Sequence, residues 1–242
     1  LLPFSLLTGP FVPDLIISII TINFLLYVFL LREYKYFNNA IFIFLLSFYI
    51  YLLINSLLSD NVNQSLKSSL FYFRFIIFPF AIWLLIDERK FFIKYFAISL
   101  LFSFIFAIIS GFYQYIYDIN FFGIAAKYDF RLTLLFSDEM VLGHYLSRLF
   151  PLLFGVLLIS FNNNRRLYFV LGFLFIFTDV LVYLTGERTS VALLFISVLF
   201  LIVTMKKFRN LRMISLALSV VIITTLTFSI PELKKRNIDS TL

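Results

Sequence analysis

The sequence contains no cysteine and a single histidine among its 242 residues. Without cysteine, these residues form neither a disulfide nor a thiolate metal site, and one histidine excludes a histidine-rich metal cluster. Charged residues are also scarce, at 14% of the chain, whereas soluble domains carry roughly a quarter. The composition is therefore far outside the soluble range, and we expect no metal or other cofactor.

Long apolar runs fill the chain instead, since 62% of its residues are hydrophobic. A helix of about 18 apolar residues or more spans the roughly 30 Å hydrocarbon layer of a membrane. Only helices and closed barrels cross lipid, because lipid offers the backbone no hydrogen-bond partner, and barrel strands would alternate polar and apolar residues. Continuous runs therefore predict an all-α integral membrane protein, a polytopic helical bundle.

About eight complete spans are expected, within one transmembrane domain that covers residues 1–242. Their predicted bounds are 13–31, 40–58, 70–86, 91–112, 139–160, 167–184, 189–205 and 213–230. Residues 1–7 resemble the end of an earlier span, and 231–242 resemble the start of an outer loop. We therefore expect the chain to be a piece of a longer protein. No internal repeat is evident, which argues against the inverted repeats of many secondary transporters.

The charges of the linkers set the expected orientation. Basic residues in short linkers stay on the cytoplasmic side. Four such linkers hold most of them: Arg32, Lys35, Arg89, Lys90, Lys94, Arg165, Arg166, Lys206, Lys207, Arg209 and Arg212. The linkers between these then face outwards: 8–12, 59–69, 113–138, 185–188 and the tail from Pro231. The basic tail residues are an exception that a large translocated loop tolerates: Lys234, Lys235 and Arg236.

The outer linker 113–138 is the longest, at about 26 residues, and linkers beyond roughly 12 to 15 residues are usually functional or disordered. Its aromatic side chains suit the membrane–water interface: Tyr113, Tyr115, Tyr117, Phe121 and Phe122. We expect this linker to lie on the membrane surface.

Charged side chains at membrane depth are informative because each is costly unless paired or hydrated, and Arg74 and Asp179 are two of them. Arg74 lies about one turn into the third span. Either it extends to the outer interface, or it faces a cavity and holds an anion. Asp179 lies in the sixth span as a buried charge partner or as a polar residue that packs between helices. Packing is the interpretation that we favour.

The first polar cluster is RLTLLFSDEMVLGHYLSRLFP, residues 131–151. Ser137 is suited to cap the next helix, which would place Asp138 and Glu139 in its first turn. Acidic side chains there favour the helix dipole, so capping alone explains them. Arg131 precedes the span on the expected outer side, where capping does not explain it.

His144 and Arg148, in the same cluster, are four residues apart and share one face of the predicted helix. A lone histidine on an apolar helix is more often a packed polar group than a catalyst.

The second polar cluster is LTGERTSVALL, residues 184–194. Its Thr-Gly pair at 185–186 ends one span, and Glu187 and Arg188 open the next. The free amides of a helix N-terminus attract anions, and an adjacent arginine strengthens the attraction. The alternative is a tight turn with a hydrated Glu187–Arg188 pair. Together with Arg131, the segment predicts an outward-facing site for a phosphate or diphosphate.

The segments 131–151 and 184–194 resemble the O-antigen ligase/polymerase family, and the opening LLTGPFVPDL resembles the way such proteins begin their second span. The resemblance implies a multi-pass glycosyltransferase of the bacterial inner membrane, active on the periplasmic side in lipopolysaccharide biosynthesis. It implies an undecaprenyl-diphosphate-linked glycan as donor, and lipid A-core or a growing glycan as acceptor. Members are metal-independent. Membrane lipids are the other expected partners, and nucleic acid is not expected.

By motif position, the resemblance implies that Arg188 and Arg131 bind the donor diphosphate, with Arg74 as a candidate third arginine. Fixed guanidinium groups would stabilise the charge that develops on the diphosphate as the glycosidic bond breaks. Glu139 or Glu187 would orient an arginine or an acceptor hydroxyl. The remaining supporting residues are Asp138 and Arg148.

The sequence departs from the family pattern because the large periplasmic loop would begin near Pro231, and these residues end at Leu242. The loop histidine of ligases is therefore not among them, His144 does not occupy its position, and the catalytic residue stays unassigned. The residues do not decide between ligase and polymerase. Two other classes stay open: a transporter or lipid-linked glycan flippase, which the charges of Arg74 and Asp179 favour, and a non-catalytic scaffold.

Overall fold

The computed structural model describes residues 2–121, 123, 132, 141–161 and 165–234, and these residues are almost entirely helical. The helices are α1 (Leu2–Ser5), α2 (Phe11–Leu31), α3 (Ala40–Leu57), α4 (Val62–Leu70), α5 (Phe73–Glu88), α6 (Phe92–Tyr117), α7 (Leu142–Phe161), α8 (Arg165–Leu184), α9 (Arg188–Thr204), α10 (Arg209–Ser229) and α11 (Pro231–Lys234). Seven helical segments of the described chain are long and apolar enough to cross a membrane. The predicted all-α membrane fold is confirmed.

The helices follow the predicted spans to within a few residues. The predicted span 189–205 corresponds to α9, which has 17 residues and is not among the seven segments, one of which, Val62–Glu88, joins α4 and α5. The linker 59–69 contains the short helix α4.

The largest difference concerns the end of α6. This helix continues to Tyr117. The prediction that Tyr113, Tyr115 and Tyr117 lie in the linker is therefore wrong, because they occupy the last turns of α6. A helix can continue beyond the apolar run that reveals it, and α6 ends where Asp118 takes a left-handed conformation with φ of 57°. Phe121 is exposed, and Phe122 lies outside the described residues.

The described chain divides into two compact units. The N-terminal unit is Pro10–Phe92, and the C-terminal unit comprises Pro3–Gly9 and the described part of Ile93–Leu242. The single transmembrane domain expected from the sequence stays a prediction.

Aromatic side chains form the core of the N-terminal unit. Phe24, Tyr36 and Phe80 are buried at its centre, and the rings of Phe24 and Tyr36 meet edge to face with centroids 5.9 Å apart. The helix α3 keeps most of its side chains exposed, as expected of a helix that faces lipid. Its last turn is joined to α4 by a hydrogen bond between the hydroxyls of Ser56 and Ser69.

The helices α7 and α8 form the centre of the C-terminal unit, because more than half of each is buried. Buried residues recur every three or four positions along α7, which is the period of a helix with one face in the core. They include Leu142, Leu146, Phe150, Leu153 and Leu157.

A buried ion pair joins α8 to α10. Nη1 and Nη2 of Arg212 donate to the two carboxylate oxygens of Asp179, each at 2.8 Å. The side chains are only 2% and 7% exposed, and the Ser219 hydroxyl lies 2.8 Å from Asp179 Oδ2. The guanidinium also lies over the Phe175 ring, 4.6 Å from its centroid.

The pair corrects two sequence interpretations. Asp179 is a buried charge partner and not merely a polar packing residue. Arg212 is a buried residue of α10 and not part of a hydrated linker. The physical reason is that each charge offsets the desolvation cost of the other.

Removing one partner should leave the other charge buried and unpaired. We expect Asp179→Ala to lower the free energy of unfolding by about 3–5 kcal/mol. The double variant Asp179→Leu/Arg212→Met should lose much less, because it leaves no buried charge. Denaturant unfolding of the detergent-solubilised protein measures both effects. Arg209→Gln, which removes an exposed arginine of the same helix, is the matched control, and equal losses in the single and double variants would contradict the prediction.

Candidate functional site

A tight turn connects α8 to α9. α8 ends at Leu184, and Gly186 has a φ of 77°, a conformation that favours glycine. The Thr185 hydroxyl donates to the Val182 carbonyl at 2.8 Å. The predicted break at 185–186 is confirmed, and Arg188 is the first residue of α9.

The carboxylate of Glu187 is buried beside this turn, with only 6% of the side chain exposed. Its Oε1 accepts a hydrogen bond from the backbone N–H of Gly143 at 3.2 Å. Its Oε2 accepts one from the Ser190 hydroxyl at 2.6 Å. The interpretation of Glu187 as half of a hydrated pair with Arg188 is therefore wrong, because neighbouring donors replace water around the carboxylate.

The ring of His144, on α7, completes a hydrogen-bonded chain with Ser190 and Glu187. Nδ1 of His144 lies 2.7 Å from Ser190 Oγ and 3.7 Å from Glu187 Oε2. Nε2 lies 3.5 Å from Thr189 Oγ1. Ser190 is fully buried, whereas 32% of the His144 side chain is exposed. This Glu187–Ser190–His144 chain thus runs from a buried carboxylate to a solvent-accessible ring edge.

Gly143 makes the close approach of α7 to the turn feasible. A Cβ atom at this position would lie 2.7 Å from Glu187 Oε2 and 2.8 Å from Thr185 Oγ1. Glu187 also brings negative charge to the first turn of α7, where the helix dipole favours it. That turn begins at Leu142 and contains no acidic residue of its own.

The predicted diphosphate-binding arginines have different surroundings. Arg188 is exposed at the start of α9, and Arg148 is exposed one turn after His144 on α7. Arg131, Asp138 and Glu139 lie outside the described residues, so their roles stay predictions.

Arg74 belongs to the N-terminal unit and has an acidic partner there. Its Nη2 donates to Asp14 Oδ2 at 2.5 Å, and its Nη1 lies 3.4 Å from the Ser18 hydroxyl. About a quarter of its side chain is exposed, at 23%. Sequence reasoning did not identify Asp14 as this partner, and a role for Arg74 toward a diphosphate stays a prediction.

Sequence reasoning also missed Ser190 and Gly143 as site residues. The spacing of Glu187 and Ser190, three residues apart at a helix start, is a local signal that could have joined them. The contacts of Glu187 and Ser190 with α7 join residues more than forty positions apart, and no local pattern reveals them.

The arrangement can bind an anion and move a proton. Exposed Arg188 and the start of α9 suit an anion, whereas the imidazole, hydroxyl and carboxylate of the hydrogen-bonded chain suit proton transfer. Among the described residues, no group of three or more His, Asp or Glu side chains is placed to hold a metal ion. In comparisons with protein families, curated proteins and solved structures, nothing matches the chain significantly.

The contact at Gly143 can be tested with a matched pair of glycines. We expect Gly143→Ala to lower the free energy of unfolding by about 1–3 kcal/mol, because the new methyl group displaces the Glu187 carboxylate. Gly155 lies on the same helix with open space at its Cβ position. Gly155→Ala should therefore be neutral or slightly stabilising. Denaturant unfolding in detergent compares the two, and equal stability would show that the approach is not tight.

Proposed function

We propose that the protein transfers a lipid-diphosphate-linked glycan to an acceptor on the outer face of a bacterial inner membrane, as a ligase or polymerase of lipopolysaccharide biosynthesis. One observation carries the proposal: the Glu187–Ser190–His144 chain lies next to exposed Arg188 at the end of α9 that is remote from the basic linker 206–209. A proton-transfer group and a cation thus occupy the same helix end.

Arg188 suits a diphosphate for two reasons. Its guanidinium forms two parallel hydrogen bonds with phosphate oxygens, and the adjacent backbone amides of α9 add the positive end of the helix dipole. Negative charge builds on the diphosphate as its bond to the sugar breaks, so a fixed cation there stabilises the transition state more than the ground state.

The place of the site suits a donor that is itself a lipid. A lipid-linked glycan diffuses within the bilayer and presents its diphosphate at the level where a membrane span meets water. The apolar helix α9 begins at Arg188, which suits a location at such a boundary.

Complementation in the bacterium of origin tests the proposal and separates its two forms. The gene is deleted, restored as the full-length protein, and the banding of lipopolysaccharide is compared on gels. Loss of every long-chain band on deletion indicates a ligase, whereas a single repeat unit on the core indicates a polymerase. Unchanged banding would contradict both.

The transporter or flippase alternative is favoured by one observation, the buried Asp179–Arg212 ion pair between two apolar helices. Buried charges in membrane spans often mark transport pathways. Here both nitrogens at the end of the arginine bind both oxygens of the aspartate, and this closed pair leaves little charge for a cargo. Transport of a lipid-linked glycan by reconstituted vesicles, without any glycan transfer, would favour this alternative.

Replacing Arg188 by lysine should reduce the rate of glycan transfer by roughly tenfold or more. A tenfold loss corresponds to about 1.4 kcal/mol of transition-state stabilisation. Lysine keeps the charge but lacks the planar pair of donors. The amount of long-chain lipopolysaccharide in the complemented strain measures the effect.

Arg209→Lys is the matched control, because Arg209 is exposed at the start of α10, near the other end of α9. It should leave transfer unchanged. Wild-type transfer by Arg188→Lys would exclude the proposed contact with the diphosphate.

A further inference from the structure

We propose that His144 accepts the proton of the acceptor hydroxyl at Nε2, and that Ser190 and Glu187 position its ring in the tautomer that this step requires. The inference rests on the proposed function and adds to it a catalytic residue that the resemblance does not supply.

The hydrogen bonds determine which nitrogen of the ring carries the proton. A carboxylate only accepts, and Glu187 Oε2 lies 2.6 Å from the Ser190 hydroxyl. Serine has one hydroxyl proton, which this bond uses. The 2.7 Å contact between Ser190 Oγ and His144 Nδ1 then requires Nδ1–H as the donor. In the neutral ring, Nε2 is left as the acceptor.

The Glu187–Ser190–His144 chain buries a carboxylate, which the packing of the two helices does not require. Burial of a carboxylate is unfavourable unless donors replace the lost water. Here Gly143 and Ser190 supply those donors, and a Cβ at position 143 would lie 2.7 Å from the carboxylate oxygen Oε2. An apolar residue at position 187 would pack without needing a hydrogen-bond donor from Gly143 or Ser190. The arrangement therefore specifies the orientation of the ring and not merely the approach of two helices.

The accepting nitrogen lies at the partly exposed edge of the ring. Among the described residues, the Thr189 hydroxyl lies 3.5 Å from Nε2, which is the long limit of a hydrogen bond. An incoming hydroxyl can replace this weak contact at the lone pair of Nε2. Thr189 directly follows Arg188, so a hydroxyl at Nε2 would lie on the same helix end as the proposed diphosphate contact.

The step is balanced in atoms and charge. The proton of the acceptor hydroxyl moves to His144 Nε2, and the acceptor oxygen forms the bond to the anomeric carbon. The bond between that carbon and the diphosphate oxygen breaks, and its electron pair stays on the diphosphate. The proton then leaves Nε2 for water or the diphosphate. While the ring is cationic, the Glu187 carboxylate at 3.7 Å stabilises it.

The tautomer is measurable without any activity. Full-length protein labelled with ¹⁵N-histidine in lipid nanodiscs gives an imidazole signal that is assigned by its loss in His144→Gln. We expect Nδ1 protonated and Nε2 unprotonated in the wild type, and a shift toward the Nε2–H form in Ser190→Ala. Ser197→Ala is the control, because Ser197 is half-buried on the same helix and its hydroxyl donates to the Leu193 carbonyl within that helix. An Nε2–H tautomer in the wild type would overturn the inference.

The pH profile of transfer tests the chemical role. Right-side-out membrane vesicles with the full-length protein receive a radiolabelled polyprenyl-diphosphate-linked glycan as probe. The wild-type rate should fall on acidification, because a protonated ring has no lone pair at Nε2 to accept the hydroxyl proton. His144→Gln should lose roughly a hundredfold or more at neutral pH and lose this pH dependence. The described charged groups near the ring are Glu187, Arg148 on the same helix face and Arg188 on α9.

The outcomes of these experiments distinguish failure of the His144 role from failure of the proposed glycan transfer. If His144→Gln keeps the wild-type rate and pH profile while Arg188→Lys loses transfer, the role of His144 is refuted and the function stands. If the wild type transfers no glycan, both fall. Should His144→Gln fail to fold, the wild-type tautomer and its response to Ser190→Ala decide the matter.

Discussion

A polar group withdrawn from water inside a membrane has to find its partner within the protein, because lipid offers none. Three contacts of the described residues supply such partners, although the Nε atoms of Arg74 and Arg212 are buried without one. Arg212 is matched by Asp179, Arg74 by Asp14, and the Glu187 carboxylate by one backbone N–H and one hydroxyl. These contacts join helices that the apolar side chains alone would leave free to slide, since lipid competes with them for every apolar surface.

The same constraint separates structural from functional polar groups. In the Asp179–Arg212 pair, each charge is directed at the other and both side chains are almost fully buried, so the pair fixes α8 against α10 and has little left for a substrate. The Glu187–Ser190–His144 chain differs because only one of its ends is buried. Its other end is a partly exposed imidazole edge, where Nε2 has only a long contact of 3.5 Å with the Thr189 hydroxyl among the described residues. A polar network that is closed stabilises a fold, and one that ends at an accessible acceptor can perform chemistry.

The fold was largely readable from the sequence, and the site was readable only in part. Helices were predictable because hydrophobicity along the chain is a local property, and even so α6 runs to Tyr117, past its apolar run. The turn at Gly186 was also a local signal. The partner of Asp179 lies 33 positions away and the partner of His144 lies 46 positions away. Arg212 follows three basic linker residues, so the sequence pattern assigned it to the same linker. Only the packing of α10 on α8 shows that it is buried.

The distribution of basic residues gives the site its strongest physical argument. The positive-inside rule explains the arginines and lysines of the short basic linkers without any function. It does not explain Arg188, which lies at the opposite end of α9 from the basic linker 206–209. In the expected orientation, this end of α9 faces outwards. Under the proposed function, Arg188 binds the diphosphate where α9 begins, and the adjacent imidazole supplies the base for transfer of the glycan to a hydroxyl.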